Sequence, residues 1–207
     1  MTNQPPPALA STRLAQLADL LIRRSVRRGQ FTLASGRTSD LYIDARLTTM
    51  HPDGLSLIGP LALELLEGTD WGRGVTAIGG LTLGADPISY AISYASALQR
   101  RTAGAPLRAF TVRKEAKTHG TGKLVEGPFK PGDRVAIIED VITTGGSARR
   151  AIEAVRAAGG VVAGVLALVD REEGGREAIE ALELPVLALV RRRDIDAKTA
   201  TGGATGG

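Results

Sequence analysis

The sequence predicts an α/β domain built on a mainly parallel sheet flanked by helices, and three observations carry that reading. Short apolar runs at residues 75–78, 107–112, 135–138, 161–169 and 186–190 alternate with helical patterns such as 88–98 and 148–158; parallel neighbours need crossover connections of this kind. Val135, Ala136, Ile137 and Ile138 show no polar alternation, as a strand covered on both faces would not. The 207 residues suit one domain, which at this size already buries most of the surface its unfolded chain exposes.

Along the chain, residues 1–10 hold three consecutive prolines without an apolar pattern, and the C-terminus runs out in Thr, Ala and Gly. Residues 1–10 and 196–207 are therefore expected to be disordered tails around a single domain over 11–195. Ser11 or Thr12 can cap a first helix with Leu14, Leu17, Leu21 and Val26 on its apolar side and Gly29 as its stop. FTLASG and LYIDAR read as short strands around a polar turn, and residues 52–66 as an apolar helix ended by Gly68. The βα rhythm fills the remainder, with no internal repeat and no linker.

Composition narrows the function classes. No window reaches the roughly 18 uncharged apolar residues of a membrane helix, and MTNQPPPALASTR lacks the basic and apolar segments of a secretory signal. A cytoplasmic location with no membrane partner is expected. The chain has no cysteine, and His51 and His119 are its only imidazoles, which disfavours disulfides and a zinc site. A net charge of +4 and a pI near 9.8 favour an anionic partner, either nucleic acid or a phosphorylated small molecule. At 3% aromatics, a surface that stacks single-stranded bases is hard to assemble.

The densest chemistry lies in VAIIEDVITTGGSARRAI, residues 135–152. An apolar strand runs into Glu139 and Asp140, then Thr143, Thr144, Gly145, Gly146 and Ser147, and then a helix with Ala148, Ala151, Ile152 and Val155 on one face, closed by Gly159 and Gly160. In open α/β sheets ligands gather at the carboxyl ends of strands. Hydroxyls and unobstructed N–H groups at a helix N-terminus suit a phosphate, whereas the acids would repel one. A ribose 5-phosphate satisfies both, with the loop on its phosphate and the carboxylates on its hydroxyls. The plainer alternative is a tight turn with an incidental acidic pair. Neither GxxxxGK[ST] nor a GxGxxG after a strand is present.

A second stretch, RKEAKTHGTGKLVEG at residues 113–127, gathers Arg113, Lys114, Lys117, His119 and Lys123 among glycines. It reads either as a solvated loop or as a lid that closes over the site, with an imidazole able to give a proton near neutrality.

EDVITTGGS resembles the phosphoribosyl pyrophosphate (PRPP) signature of type I phosphoribosyltransferases, and RKEAKTHG resembles the catalytic loop of the orotate phosphoribosyltransferases among them. FTLASGRTSDLYIDAR, GGLTLGADPIS and LVDREEGG match that family in the same order, over roughly residues 13–190. The resemblance implies the type I phosphoribosyltransferase fold, with a small N-terminal hood at about 11–50. It implies Mg²⁺-dependent transfer of the phosphoribosyl group from PRPP to N1 of orotate in UMP biosynthesis, by a homodimer that shares its catalytic loop across the interface, with no nucleic-acid partner. Carried onto this chain, Arg113, Lys114, Lys117 and His119 contact pyrophosphate, and Lys117, His119, Glu139 and Asp140 are the catalytic group. Glu139, Asp140, Val141, Ile142, Thr143, Thr144, Gly145, Gly146 and Ser147 hold the ribose 5-phosphate. Thr143 and Arg171 contact orotate, a guanidinium being matched to a carboxylate; the alternative for Arg171 is an ion pair with Glu172 or Glu173. No protein ligand to the metal is expected. Ala34 and Leu83 stand where some relatives carry lysine. A phosphoribosyltransferase for another base, and a PRPP-sensing nucleic-acid regulator, are the competing readings.

Overall fold

A computed structural model of the chain describes residues 8–32, 38–99, 104–115 and 123–202. In chain order the elements are helix α1 (Ala8–Arg24), strands β1 (Val26–Thr32) and β2 (Thr38–Ile43), helices α2 (Arg46–Thr49), α3 (Pro52–Glu67) and α4 (Asp70–Arg73), strand β3 (Ala77–Leu81), helix α5 (Ala85–Leu98), strands β4 (Arg108–Val112), β5 (Val125–Glu126) and β6 (Arg134–Ile142), helix α6 (Gly146–Ala157), strand β7 (Val161–Asp170), helix α7 (Gly175–Glu180), strand β8 (Val186–Arg191) and helix α8 (Arg192–Gly202).

Each apolar run expected to be a strand is one. β3 to β8 form a single sheet in the order β5-β4-β3-β6-β7-β8, with every pairing parallel except β4 with β5. Along β6 the side chains alternate between two cores. Ala136 and Ile138 enter the core built with α1, α3 and α5, while Val135 and Ile137 enter the one built with α6 and α7. Both faces are thus apolar, which is why this strand carries no polar residue between the exposed Arg134 at its start and Glu139. Trimming Ile137 or Ile138, each fully buried, to alanine would cost about 2–5 kcal/mol.

The strand order positions the site. From β3 the chain passes to β4 on one side, while β6 pairs with the other side of β3 and leads on to β7. The carboxyl ends of β3 and β6 therefore flank the point where the winding reverses, and there open α/β sheets leave a crevice.

Two elements differ from expectation. The first helix ends at Arg24, so Val26 and Gly29 lie in β1 rather than on the helix and at its stop. Val26 pairs with Ile43 and is buried, and Gly29, at φ 153°, sits in the irregular register between Arg28 and Phe31; β-branched packing and a bulge outweigh helical spacing there. The antiparallel pair β1–β2 stands apart as its own two-stranded sheet. At the other end, α8 continues past residue 195 to Gly202. It is docked, with Ile195 fully buried and Lys198 Nζ 2.7 Å from Asp19 Oδ1. None of the described helices is long and apolar enough to cross a membrane.

Candidate active site

β6 ends by delivering its last residues into a tight loop. Gly145 precedes α6 at φ 79°, ψ 2°, a left-handed conformation that glycine adopts without penalty, and the N–H groups of the first helical turn are left facing outward. Glu139, residues 141–147 and Arg150 line a cavity of about 340 Å³. An anion placed there meets N–H donors, the positive end of α6 and the Arg150 guanidinium.

The two acids sit in different surroundings. Glu139 is buried at 7% exposure, while Asp140 is half-buried and accepts a 2.8 Å bond from the Val141 N–H. Burial is the main reason that the Glu139 carboxyl is pushed well above its ordinary pKa. The neighbouring Asp140 charge adds to the rise, and Arg150 opposes it.

Across the crevice, the turn after β3 comes against Asp140: a Cβ on Gly84 would fall 2.5 Å from Asp140 Cγ and 2.7 Å from Oδ1. A side chain there would push the Asp140 carboxylate aside. Asp86 fixes the turn from beneath, accepting from Thr82 Oγ1 at 2.7 Å and Thr111 Oγ1 at 2.8 Å, and the Thr82 N–H bonds to Val112 O at 2.8 Å.

Arg113 follows β4 directly beside this turn. Its N–H reaches Leu124 O at 2.8 Å, closing the base of the loop that returns as β5, and its Nη1 lies 3.8 Å from Glu126 Oε1. Lys114 is exposed. Lys117, His119 and Ala34 lie outside the described residues.

Arg171 follows β7, its N–H bonded to Ile142 O at 3.0 Å. Its side chain is 3% exposed and points into the hood. Nη2 donates to Ser39 Oγ at 2.8 Å, Leu41 O at 3.0 Å and Glu173 Oε1 at 2.6 Å. Its Nε is buried with no partner among the described residues. Behind it, Asp170 accepts from Arg176 Nε at 2.7 Å and the Glu172 N–H at 2.9 Å, holding the turn to α7. Gly175 in that turn touches the 143–147 loop: its missing Cβ would meet Thr143 O, and would lie 2.8 Å from Gly145 N. Thr143 thus backs onto Gly175 while lining the cavity.

The structure therefore brings Arg113, Glu139, Asp140, residues 141–147 and Arg171 to the carboxyl ends of strands β4, β6 and β7, with β3 between β4 and β6. The residue pattern alone missed Arg150, which stands one helical turn beyond Gly146 and Ser147 and reaches their cavity. It also missed Asp86, whose network is visible only in three dimensions, and Asp44 and Arg46, which follow β2 and lie beside Leu83.

No protein-family model matches the chain. Among known proteins it is similar to the orotate phosphoribosyltransferase of Mycobacterium avium, with 46% identity over 187 residues covering 90% of this chain and 98% of that one. The orotate phosphoribosyltransferase of Aquifex aeolicus is 44% identical over 183 residues, 87% of this chain and 96% of its own. Among solved structures, that of Mycobacterium tuberculosis H37Rv orotate phosphoribosyltransferase in complex with PRPP superposes with a TM-score of 0.72 at 41% identity, covering 89% of this chain and 99% of the other. An adenine phosphoribosyltransferase from Leishmania donovani, at 19% identity and a TM-score of 0.58, shares the fold.

Proposed function

The chain belongs to the orotate phosphoribosyltransferase family, and from that premise we propose that it transfers the 5-phosphoribosyl group of PRPP to N1 of orotate through the crevice between β3 and β6. The observation that carries this reading is the pairing of an anion-ready loop at 143–147 with the carboxylate of Asp140, which lies against Gly84 across the crevice. One ligand with a phosphate at one end and hydroxyls further along fits both.

The loop N–H groups and Arg150 take the 5-phosphate, and Glu139 and Asp140 take the ribose hydroxyls. The C1–O bond to pyrophosphate breaks and pyrophosphate leaves with its electron pair. The N1–C1 bond forms as orotate N1 gives up its proton. Positive charge that develops on the ribose is steadied by Asp140, and negative charge on pyrophosphate by Arg113, Lys114 and Lys117, with His119 assigned to donate a proton. Arg171, whose Nε is buried without a partner among the described residues, supplies donors for the orotate carboxylate, and Thr143 contacts the base.

The family's reaction on PRPP implies a divalent metal, and we assign Mg²⁺. The donors present fit it: the half-buried Asp140 carboxylate at the crevice suits a hard ion held through its waters and substrate oxygens rather than by direct protein ligands. When bound, the ion supplies charge neutralisation at the pyrophosphate oxygens.

We further read the protein as a cytoplasmic homodimer whose 113–127 loop closes the partner's site. The apolar stripe Tyr90, Tyr94 and Leu98 exposed on α5 supports that assembly. The test is the fall in orotate absorbance on mixing with PRPP and Mg²⁺, set against adenine, hypoxanthine and uracil. Turnover of one of those bases and not of orotate would refute the assignment, and so would undiminished turnover with the metal chelated.

A further inference from the structure

Beyond Asp140, on the side away from the phosphate loop, lies a second hollow of about 420 Å³, lined by Asp44, Arg46, Leu47, Met50, His51 and Leu83. Its wall at Leu83 is the residue before Gly84, which itself lies against the Asp140 carboxylate. The hollow therefore continues the crevice past the acids, in the direction in which a ligand anchored by its 5-phosphate would extend its other end.

That wall carries no charge of its own, since Leu83 offers an apolar side chain at 51% exposure. His51 is occupied as the N-cap of α3, its Nδ1 accepting from the Asp53 N–H at 3.2 Å. The remaining cation is Arg46.

Arg46 is held in a fixed orientation. Its Nε reaches Asp44 Oδ1 at 2.8 Å and its Nη2 reaches Oδ2 at 2.9 Å, while its own backbone N–H reaches Oδ1 at 3.2 Å. This fork-on-carboxylate arrangement uses one edge of the guanidinium and leaves the Nη1 side free of any partner among the described residues. The side chain is 49% exposed, so its free edge is open to a ligand. The Asp140 charge also acts on Arg46 through space. Arg113 flanks the same 82–84 turn from the other side, through the bond of Thr82 N–H to Val112 O. The turn thus lies between the hollow that holds Arg46 and the strand end that leads into Arg113.

We infer that Arg46, oriented by Asp44, is a further substrate-binding residue: its free guanidinium edge takes oxygens of the pyrophosphate group, both in PRPP and as the departing product, in the hollow beside Leu83. Asp44 is a positioning residue that acts through Arg46. The inference rests on the proposed PRPP reaction, and it puts a cation where Leu83 supplies none.

The test measures PRPP affinity by titration calorimetry with Mg²⁺ present, and KM values in both directions of the reaction, for Arg46→Ala, Arg46→Lys and Asp44→Asn. Losing a hydrogen bond to a charged group corresponds to about 10- to 100-fold in affinity. Arg46→Ala should therefore weaken PRPP and raise the KM for pyrophosphate by at least about 10-fold, while the KM for orotate and the melting temperature hold. Asp44→Asn should show the same selectivity with a smaller change, and Arg46→Lys should recover part of the loss. Adding Leu83→Lys to Arg46→Ala returns a cation to the same wall and should also recover part of it. Should Arg46→Ala fail to fold, Arg46→Gln is read by the same titration. Unchanged pyrophosphate KM and PRPP affinity, or orotate and pyrophosphate KM rising together, would overturn the inference. A wild-type protein that binds PRPP but leaves orotate untouched would instead overturn the acceptor assignment, and the PRPP titration would still decide the role of Arg46.

Discussion

Gly175 provides a direct test of whether the 143–147 loop, which we propose holds the 5-phosphate, is held by the turn behind it. A Cβ at this position would lie 2.6 Å from Ile142 Cγ2 and 2.8 Å from Gly145 N, besides striking Thr143 O. Carbon atoms meet comfortably at about 3.5 Å, so the first of these contacts is short by about 1 Å. Two of the three obstacles are backbone atoms of the loop itself, so relief requires the loop to shift rather than a side chain to rotate. Overpacking of this kind costs about 1–3 kcal/mol, which for a chain of this length lowers the melting temperature by about 2–12 °C. The catalytic effect should be larger in proportion, because a misplacement of about 1 Å can cost about 100-fold. Gly175→Ala should thus lower kcat/KM for PRPP by about that factor, read from initial rates of orotate consumption. Gly174 is the control. At φ 91° with nothing within 4 Å of its missing Cβ, Gly174→Ala incurs about 1–2 kcal/mol of backbone strain without pressing on the loop. If Gly175→Ala keeps kcat/KM within two-fold of wild type, or if Gly174→Ala loses as much, the loop is not set by this contact.

Three further outcomes follow from the same geometry. Burial raises the folded-state pKa of Glu139 above the unfolded value of about 4.3, so between those two values the native state binds the extra proton and stability falls as pH rises; Glu139→Gln should melt higher than wild type at pH 8 and equal to it near pH 4, and an equal gap at both pH values would contradict the assignment. Lys117→Ala should lower kcat by about 10²- to 10⁴-fold; a raised KM with intact kcat would remove Lys117 from the chemical step. Arg171→Ala strands Glu173, which is 15% exposed, although Arg192 also reaches Glu173 at 3.8 Å; the expected loss is therefore about 3 kcal/mol, the low end for breaking a buried pair, and a melting shift under about 2 °C would show that Arg171 does not tie the hood to the core.

How far the chain could be read in advance depended on whether a signal was local. The sheet was legible because parallel strands buried on both faces leave apolar runs, and all of those runs became strands of one sheet. The hood boundary was not, since Leu14, Leu17, Leu21 and Val26 continue a helical spacing into a residue that the fold assigns to β1. What overrules the spacing is the pairing of Val26 with Ile43, a contact across seventeen residues' separation in sequence that no window displays. The docking of α8 was hidden for the same reason. Its helix depends on Ile195 entering the core and on Lys198 meeting Asp19.

The candidate site divides along the same line. The residues at 139–147 carry their meaning in their order, because a strand end, a loop and a helix start are contiguous in sequence, and the cavity falls on that stretch. The different surroundings of the two acids are not written there. Glu139 and Asp140 are adjacent and both carboxylic, yet strand alternation turns the first into the fold and leaves the second half in solvent. Burial pushes Glu139 toward its neutral form, which can donate as well as accept a hydrogen bond, while the half-buried Asp140 faces Gly84 and the turn beyond. The pair is therefore asymmetric before any substrate arrives. In the reaction we propose, charge stabilisation of an electron-poor ribose is therefore assigned chiefly to Asp140, and the holding of a hydroxyl to Glu139. Replacing Asp140 by asparagine should accordingly lower kcat more than replacing Glu139 by glutamine, and the reverse order in a side-by-side kinetic comparison would reject that division of roles.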